Sequence, residues 1–287
     1  MKKLLTDKSG FKKIKNKPSK SELKEYYDKK YFSQGKNYFT KYSNEELEYI
    51  KNKVNQKFIL LNDQLGIKGK KILELGSGEG WILKKFNENG FDITGIDYSD
   101  IGCKNHNPDL LKLLILGDLE EEILKIKTKF DVIWIENVLE HVLDPRNLIS
   151  NIKLKLKSGG LLAVTVPNDF SITQINLMIK GKVKKNEFWV APPDHLSYFD
   201  KNSLIKFFEE FNFKLIDLIS DYPIDLNLFC ELTNYVDNKS IGKSIHKSRI
   251  EIENLFSSIS DKKTNNLYRC FADMGIGRDL FAIFKKN

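Results

Sequence analysis

Three alternate glycines follow an apolar run that contains one acidic residue. The glycines are Gly76, Gly78 and Gly80, and the acid is Glu74. Glycine adopts backbone angles that side chains forbid, and it lets main-chain N–H groups approach a ligand at the start of the following helix. Such a loop suits an anionic or zwitterionic ligand, such as a nucleotide cofactor. The dinucleotide-binding fingerprint needs glycine at its sixth position, where this chain has Trp81, so the dinucleotide interpretation is weakened.

A second carboxylate ends the next apolar run along the chain. Asp97 follows the segment from Phe91 to Ile96. In a parallel sheet this places the carboxylate at the end of the strand that neighbours the glycine loop. A carboxylate at that point can accept hydrogen bonds from both ribose hydroxyls of a nucleotide cofactor. The arrangement fits more than one class of cofactor.

Five segments, in order along the chain, resemble the class I S-adenosylmethionine-dependent methyltransferases. They resemble the family's first motif, its second motif, its adenine-contacting segment, its fourth strand with the following loop, and the turn into its fifth strand. In this chain they are Glu74–Gly80, Gly95–Ser99, Gly117–Glu120, Phe130–Val142 and Leu156–Gly160. The resemblance covers about residues 20–220, and a terminal strand near 278–285 rejoins it. Five ordered segments are more specific than one glycine loop.

The resemblance implies S-adenosylmethionine as the methyl donor and a set of donor-binding residues. Glu74 would orient the amino group through water, and Asp97 would hold the ribose hydroxyls. Asp118 would accept a hydrogen bond from the adenine amino group, with Leu119 against the ring. The complete predicted set is Glu74, Gly76, Ser77, Gly78, Gly80, Asp97, Tyr98, Asp118, Leu119 and Glu136.

Two histidines are predicted catalytic residues. A hydroxyl acceptor must lose its proton during methyl transfer, and a histidine with an ordinary pKa of about 6.5 can take it at neutral pH. His141 follows the predicted fourth strand, and His195 lies in an Ala-Pro-Pro-Asp-His segment that resembles one found in this branch of the family. A structural hydrogen-bonding role is the alternative for each. His106 and His246 are predicted to be surface residues.

The branch that the chain resembles methylates small molecules, including oxygen atoms in quinone and surface-polysaccharide biosynthesis. The predicted function is therefore O-methylation of a saccharide or nucleotide-linked precursor of surface polysaccharide, such as capsule. The alternatives are an N-methyltransferase of an amino sugar, a quinone-precursor O-methyltransferase and a non-catalytic binding module. An anionic phosphate-type oxygen would need no base, and cations such as Arg146 and Arg278 would then matter more. RNA methylation is disfavoured, because Glu136–Leu139 departs from the Asn-Pro-Pro-aromatic loop.

The chain's pattern predicts an α/β fold. Strands are predicted at 71–75, 92–96, 112–116, 130–135, 160–166, 214–219 and 278–284, and helices at 44–65, 145–157, 202–211 and 239–260. Alternating strands and helices imply a parallel sheet with ligands at the carboxyl ends of its strands. The resemblance implies a Rossmann-like, seven-stranded, mostly parallel sheet with helices on both faces, closed by an antiparallel last pair.

Two parts are predicted within the chain. Residues 1–66 form a basic N-terminal tail and a helical lid, and 67–287 form the methyltransferase domain, with acceptor-side insertions at about 167–198 and 221–277. Tyr27 and Tyr31 are interpreted as aromatic residues of the lid, and ordinary helix packing is the alternative. An apolar stripe within 239–260 is interpreted as packing inside the chain or across a homodimer.

Composition limits the classes of function. The chain has 287 residues, 41% of them hydrophobic, and a net charge of +8. Residues 1–30 carry eleven lysines and four acids, which we interpret as a solvated segment and not as a nucleic-acid contact. No apolar run approaches the roughly 20 residues of a membrane span, and no signal peptide is recognised, so a cytoplasmic protein is expected. The three cysteines are dispersed, Glu136, Glu140 and His141 lack a fourth partner, and no metal is expected.

Overall fold

The computed structural model describes residues 4–31, 41–65 and 70–287, excluding the side chains of 28–31 and 65. The described residues form the strands β1 (Leu4–Thr6), β2 (Lys12–Ile14), β3 (Lys71–Leu75), β4 (Asp92–Asp97), β5 (Leu114–Leu116), β6 (Phe130–Glu136), β7 (Leu156–Pro167), β8 (Ser197–Tyr198), β9 (Phe213–Ser220) and β10 (Asp279–Lys286). They also form the helices α1 (Lys20–Tyr31), α2 (Asn44–Leu65), α3 (Trp81–Glu88), α4 (Ile101–His106), α5 (Leu119–Lys125), α6 (Pro145–Lys155), α7 (Ile172–Ile179), α8 (Lys201–Glu209), α9 (Gly242–Ile259) and α10 (Asp261–Met274).

The central sheet has seven strands in the order β5-β4-β3-β6-β7-β10-β9. The pairs from β5 to β7 are parallel, and β10 runs antiparallel to both of its neighbours. This confirms the predicted Rossmann-like sheet and its antiparallel last pair. The predicted strand boundaries agree closely except at β5 and β7. A 3-10 helix (Pro108–Leu113) takes the start of the predicted third strand, and β7 begins at Leu156 because α6 ends at Lys155.

Alternation along the strands divides the hydrophobic core between the two faces of the sheet. On β6, Ile133 and Ile135 belong to one buried cluster and Trp134 to the other. Successive side chains of a strand point to opposite faces, so each strand supplies both layers. Helices α2, α3 and α10 cover the face that carries Trp134, and α9 packs on α2 outside them. The opposite face packs against α6 and α8.

The N-terminal lysine-rich segment is folded, so the interpretation as a solvated tail is wrong for its described part. Strand β2 pairs antiparallel with both β1 and β8, forming a small second sheet. Phe11 is 2% exposed and stacks on Phe199 with ring centroids 4.5 Å apart. Arg146 pairs with Asp7 and Glu210 beside this sheet. The sequence pattern did not predict this structure, because the segment is rich in lysine and only a few buried apolar residues hold it in place.

Both insertions contain structure that the sequence pattern did not predict. The first contains α7 and β8. The second contains the predicted helix, observed as α9, and a further helix, α10, which Ser260 caps and which ends at the left-handed Gly275. The predicted stripe divides, because Phe256 packs against the core while Leu255 and Ile259 are exposed. The predicted domain boundary after residue 66 lies outside the described residues and stays a prediction.

A search of the described helices finds none with the length and apolar character to cross a membrane. The cysteines carry free thiols, and of the three only Cys103 is buried.

Candidate functional site

The glycine loop and Asp97 meet at the carboxyl edge of the sheet. Asp97 ends β4, and its Oδ2 accepts a hydrogen bond of 2.7 Å from the Gly78 N–H. Its Oδ1 accepts one of 3.0 Å from the Ser99 N–H. Burial raises the pKa of the Asp97 carboxyl, and these backbone donors oppose that shift. The carboxylate therefore both fixes the loop and faces the cavity beside it.

Gly76 has to be glycine for two separate reasons. Its φ of 77° lies in the left-handed region that side chains disfavour. A Cβ at this position would lie 2.5 Å from Val138 Cγ2, which is closer than real contacts allow. The close approach brings the loop against the segment that follows β6, where the positive φ of Asn137 also lies. The backbone at this junction is thus shaped by both strands.

Two cavities open on this edge and share three lining residues, Gly76, Glu136 and Asn137. The first, called here the α1 cavity, has a volume of about 420 Å³ and lies between α1 and the ends of β4 and β6. The second, called the α2 cavity, has a volume of about 330 Å³ and lies beneath α2. A ligand that crosses the shared residues would occupy part of each cavity.

The α1 cavity has the chemistry of a nucleoside site. Tyr98, Leu119 and Val138 supply apolar wall, and Asp97 supplies a hydrogen-bond acceptor. Asp118 also lines this cavity, and its carboxylate has a structural role as well. It caps α5 through the Glu120 N–H at 2.9 Å and pairs with Lys20 Nζ at 2.8 Å.

Two residues that line the α2 cavity, Glu74 and Ser77, have buried polar atoms without a hydrogen-bond partner among the described residues. These atoms are Glu74 Oε2 and Ser77 Oγ. Burial raises the pKa of Glu74 well above its ordinary value, and the charge of Glu136 raises it further. Lys57 Nζ lies between Glu136 and Thr165 Oγ1, the latter at 3.2 Å. An amino acid end of a ligand, with one ammonium and one carboxylate, fits this set.

Nine of the ten predicted donor residues line one or both cavities. The exception is Gly80, which lies behind the loop as the cap of α3, beside Cys103. Lys53 and Lys57 also line the α2 cavity and were not among the predicted donor residues. The signal that could have identified them is their spacing of one turn on the face of α2 that carries Tyr49, Val54 and Gln56.

The two predicted catalytic histidines are neighbours in the fold. The rings of His141 and His195 have centroids 4.8 Å apart, and His141 lines the α1 cavity. His141 Nδ1 lies 2.7 Å from the carbonyl oxygen of Asp194, which can only accept, so Nδ1–H donates. Neutral His141 therefore keeps its lone pair on Nε2. Tyr27 lines the same cavity at a centroid distance of 6.1 Å from His141.

Some sequence predictions around this site change. His106 is not a surface residue, because its side chain is 11% exposed and lies 3.5 Å from Glu79. Arg146 and Arg278, considered for an anionic acceptor, line neither cavity, and Arg278 pairs with Asp169 at 3.1 Å. His246 is exposed, as predicted. The side chain of Tyr31 lies outside the described residues, so the lid stays a prediction.

Glu140, His141 and His195 form a cluster whose possible ligand atoms lie within 4.8 Å of one another. Glu140 is 1% exposed, and burial raises its pKa well above the ordinary value. The expectation that the protein carries no metal stays a prediction.

Replacing Glu74 with glutamine should stabilise the donor-free protein at alkaline pH. The folded pKa of Glu74 lies above the unfolded one, so its contribution to stability is lost as pH rises above the unfolded value. Glutamine removes that loss. Thermal unfolding at pH 5 and pH 8 should show the larger gain at pH 8, at about 2–4 °C for each kcal/mol. Exposed Glu88→Gln on α3 is the control, and a lower Tm at both pH values contradicts the assignment.

A family model described as a methyltransferase domain matches residues 47–218, more than half of the chain. The ubiquinone biosynthesis O-methyltransferase of Coxiella burnetii (strain Dugway 5J108-111) is 26% identical over 174 residues, covering 59% of this chain and 74% of that protein. The ubiquinone biosynthesis O-methyltransferase of Actinobacillus pleuropneumoniae serotype 7 (strain AP76) is 31% identical over 131 residues, covering 42% and 52%.

Solved structures are similar in fold at low sequence identity. A SAM-dependent methyltransferase from Archaeoglobus fulgidus has a TM-score of 0.50 at 18% identity, covering 82% of this chain and 94% of that one. Magnesium protoporphyrin IX methyltransferase from Synechocystis PCC 6803, solved with bound SAH, has a TM-score of 0.54 at 10% identity, covering 94% and 100%. These likenesses concern the fold.

Proposed function

The chain belongs to the class I S-adenosylmethionine-dependent methyltransferases, and from this premise we propose that it methylates a hydroxyl oxygen of a small polar molecule. The acceptor that we favour is a saccharide, free or nucleotide-linked, as in a precursor of surface polysaccharide. The observation that carries the proposal is the pair of cavities that meet at Gly76, Glu136 and Asn137. The donor fills the α1 cavity and the near end of the α2 cavity, and the rest of the α2 cavity is left for an acceptor.

The donor supplies an electrophilic methyl group on a sulfonium, and the protein's task is alignment. Asp97 holds the ribose, and Tyr98 and Leu119 hold the adenine ring. Glu74 and Ser77, whose buried oxygens lack partners, take the polar atoms of the methionine end. Fixing the two reactants in line and excluding water supplies much of the acceleration in such a transfer.

His141 is the proposed general base. It lines the α1 cavity and not the α2 cavity, so this role requires the reacting hydroxyl of the acceptor to reach the residues that the two cavities share. With Nδ1–H directed at the Asp194 carbonyl, the lone pair of neutral His141 is on Nε2, which lies 3.8 Å from Glu140 Oε1. This nitrogen is the atom proposed to take the proton of the acceptor hydroxyl. His195, edge-on to the His141 ring, restrains that orientation and is the second candidate for the same role. No metal takes part in this proposal.

Lys57 is the proposed partner of the donor's carboxylate, by exchange from its pair with Glu136. We expect Lys57→Met to raise the Kd of S-adenosylhomocysteine about tenfold, which corresponds to about 1.4 kcal/mol. Calorimetric titration measures this directly. The matched control is Lys51→Met, because Lys51 is exposed on the same helix. Equal affinities for both variants would remove Lys57 from the donor site.

A phenolic quinone precursor is the second candidate acceptor. It is favoured by the similarity to proteins named ubiquinone biosynthesis O-methyltransferase, at 26% and 31% identity. Such an acceptor presents a hydroxyl on an apolar ring, whereas a saccharide presents several hydroxyls. The lining of the α2 cavity contains five carboxyl groups and two lysines, which suits the more polar acceptor.

Release of S-adenosylhomocysteine in the presence of different acceptors tests the proposal. The panel contains neutral sugars, nucleotide-linked sugars, amino sugars, catechol and RNA. Turnover with a sugar or nucleotide-linked sugar supports the favoured acceptor, and turnover with catechol alone selects the second candidate. Turnover only with RNA contradicts methylation of a small molecule, and turnover that requires the free amino group of an amino sugar selects N-methylation in place of O-methylation.

A further inference from the structure

Four carboxyl groups stand along one face of the sheet at its ligand-binding edge. Glu136 ends β6 on the same face as Trp134, and Asp279 begins β10 on the same face as Phe281. Glu74 on β3 and Asp221 just after β9 complete the row. All four line the α2 cavity. Since β10 is antiparallel, its first residue lies at the carboxyl ends of the parallel strands.

Two members of this row are already paired. Glu136 binds Lys57. Asp221 binds Arg249, and it also accepts hydrogen bonds from the N–H groups of Arg278 at 2.9 Å and Asp279 at 2.8 Å. These contacts are those of structural carboxylates.

Asp279 differs, because only its backbone is engaged. Its N–H donates to Asp221, and its carbonyl oxygen accepts from Ser220 Oγ at 2.9 Å. Its carboxyl group has no hydrogen bond or ion pair with any side chain that the structure describes, and it lines the α2 cavity. Glu74 Oε2, which is buried and also lacks a partner, lines the far end of the same cavity. The cavity therefore has a vacant acceptor group at each end.

The positions of Glu74 and Asp279 in the sheet indicate that the two ends of the α2 cavity bind different ligands. Glu74 lies beside the glycine loop, where the donor binds. Asp279 lies on the strand after β7, two strands beyond Glu136. Neighbouring strands are about 4.8 Å apart, so Asp279 is roughly 10 Å further along the edge than Glu136. On the intervening strand β7, Thr165 Oγ1 accepts a hydrogen bond of 3.2 Å from Lys57 Nζ, so a ligand group beside Asp279 lies beyond this lysine from Glu136.

The charges around this end of the cavity disfavour an anion. Lys53 pairs with Glu253 at 2.7 Å, and Lys57, which pairs with Glu136 in the described structure, is assigned above to the donor's carboxylate. Arg249 is bound between Asp221 and Glu253, and Arg278 pairs with Asp169 at 3.1 Å. A phosphate placed beside Asp279 would face these carboxylates without a free cation, whereas a hydroxyl group would give the carboxylate a donor.

We propose that Asp279 is the acceptor-binding carboxylate of this enzyme and takes a hydrogen bond from an uncharged hydroxyl group of the acceptor. The inference rests on the proposed function and narrows its substrate class to neutral hydroxyl compounds at this end of the cavity. A saccharide and a phenolic ring both carry such a group. A nucleotide-linked sugar is accommodated with its phosphates outside the α2 cavity.

Acceptor binding should depend on pH through Asp279. Burial and the charge of Asp221 raise the pKa of Asp279 to about 6, against the opposing charges of Arg278, Arg249 and Lys57. The other titratable groups around this part of the cavity are Lys53, Tyr49, Glu74, Glu136, Glu140 and Glu253. An ionised carboxylate accepts the stronger hydrogen bond, so affinity for a hydroxyl ligand should increase as pH rises through about 6.

The test measures binding of methyl glucoside, catechol and glucose 1-phosphate to the full chain, saturated with S-adenosylhomocysteine, by ligand-observed NMR. Wild-type protein should bind methyl glucoside or catechol more tightly than glucose 1-phosphate. Asp279→Asn should raise the Kd of the preferred hydroxyl ligand about tenfold, as expected for loss of a charge-assisted hydrogen bond. The Kd of the variant should also depend less on pH. Asp217→Asn is the control, because Asp217 lies on the neighbouring strand β9, pairs with Arg269 of α10 and lines neither cavity.

The outcomes separate this inference from the proposed function. Preference for methyl glucoside or for catechol identifies which kind of compound supplies the hydroxyl group. Either preference supports the role of Asp279 if Asp279→Asn binds the preferred ligand more weakly. Unchanged affinity in Asp279→Asn, or no binding of either hydroxyl probe, overturns it. Tighter binding of glucose 1-phosphate that Asp279→Asn leaves unchanged also overturns it, because the phosphate is then the group recognised at this end of the cavity. Calorimetry with S-adenosylhomocysteine comes first. A protein that does not bind it contradicts the proposed function itself, whereas binding combined with an inert Asp279 contradicts only the inference.

Discussion

Asp97→Ala should abolish measurable binding of S-adenosylhomocysteine, raising its Kd at least about 100-fold. Two losses combine in this variant. The ribose loses a carboxylate acceptor, and each charge-assisted hydrogen bond of this kind contributes roughly 1.5–3 kcal/mol. The glycine loop also loses the contact that holds the Gly78 N–H. Calorimetric titration of the wild-type protein and the variant measures the effect.

The same strand offers a control for the Asp97 variant. Asp92 begins β4 at the opposite edge of the sheet, and its side chain is 62% exposed. Asp92→Ala should leave the Kd of S-adenosylhomocysteine within about threefold of the wild-type value, since surface ion pairs contribute little. An Asp97→Ala protein that is folded and binds with wild-type affinity would remove the cofactor assignment.

His141→Ala should lower turnover by about 10²–10⁴-fold, the usual contribution of a positioned general base. The Kd of S-adenosylhomocysteine should change by less than about threefold, because the proposed role of His141 concerns the acceptor proton. Turnover and donor affinity measured on the same preparation separate catalysis from binding.

Two further histidine variants define the role of the pair. His195→Ala should lower turnover less than His141→Ala if His195 only orients the neighbouring ring, which lies at a centroid distance of 4.8 Å. His246→Ala on α9 should have no effect, because His246 is exposed and lines neither cavity. Wild-type turnover in His141→Ala excludes it as the base, and a larger loss in His195→Ala transfers the role to His195.

The sheet and the donor edge were predictable because their determinants are local. Each strand is a short apolar run, and the residue that ends it identifies its edge, as Glu74 and Asp97 do. The left-handed backbone of the loop is likewise a local property, because Gly76, Gly78 and Gly80 all have positive φ. Helix α2 was predicted from its own periodicity, and its bounds agree with the structure.

Contacts between distant segments were not predictable in the same way. Lys57 lies on α2, which precedes β3, and it pairs with Glu136 at the end of β6. A lysine on a helix is ordinarily solvated, so this pair was not predicted. Asp279 returns to the edge only after the long second insertion, and no local pattern indicates that β10 pairs between β7 and β9. Phe11 is buried by Phe199, and this contact depends on the folding of the first insertion. Such pairings follow from topology and not from periodicity.

Transfer of an isotopically labelled methyl group from S-adenosylmethionine tests the central claim most directly. The full chain is incubated with the labelled donor and the acceptor that supports turnover, and mass spectrometry with NMR locates the label. We predict the label on a hydroxyl oxygen of a neutral acceptor, with equal release of S-adenosylhomocysteine and no transfer by Asp97→Ala. A label on nitrogen or on RNA, or no transfer to any hydroxyl compound by a protein that binds S-adenosylhomocysteine, would contradict it.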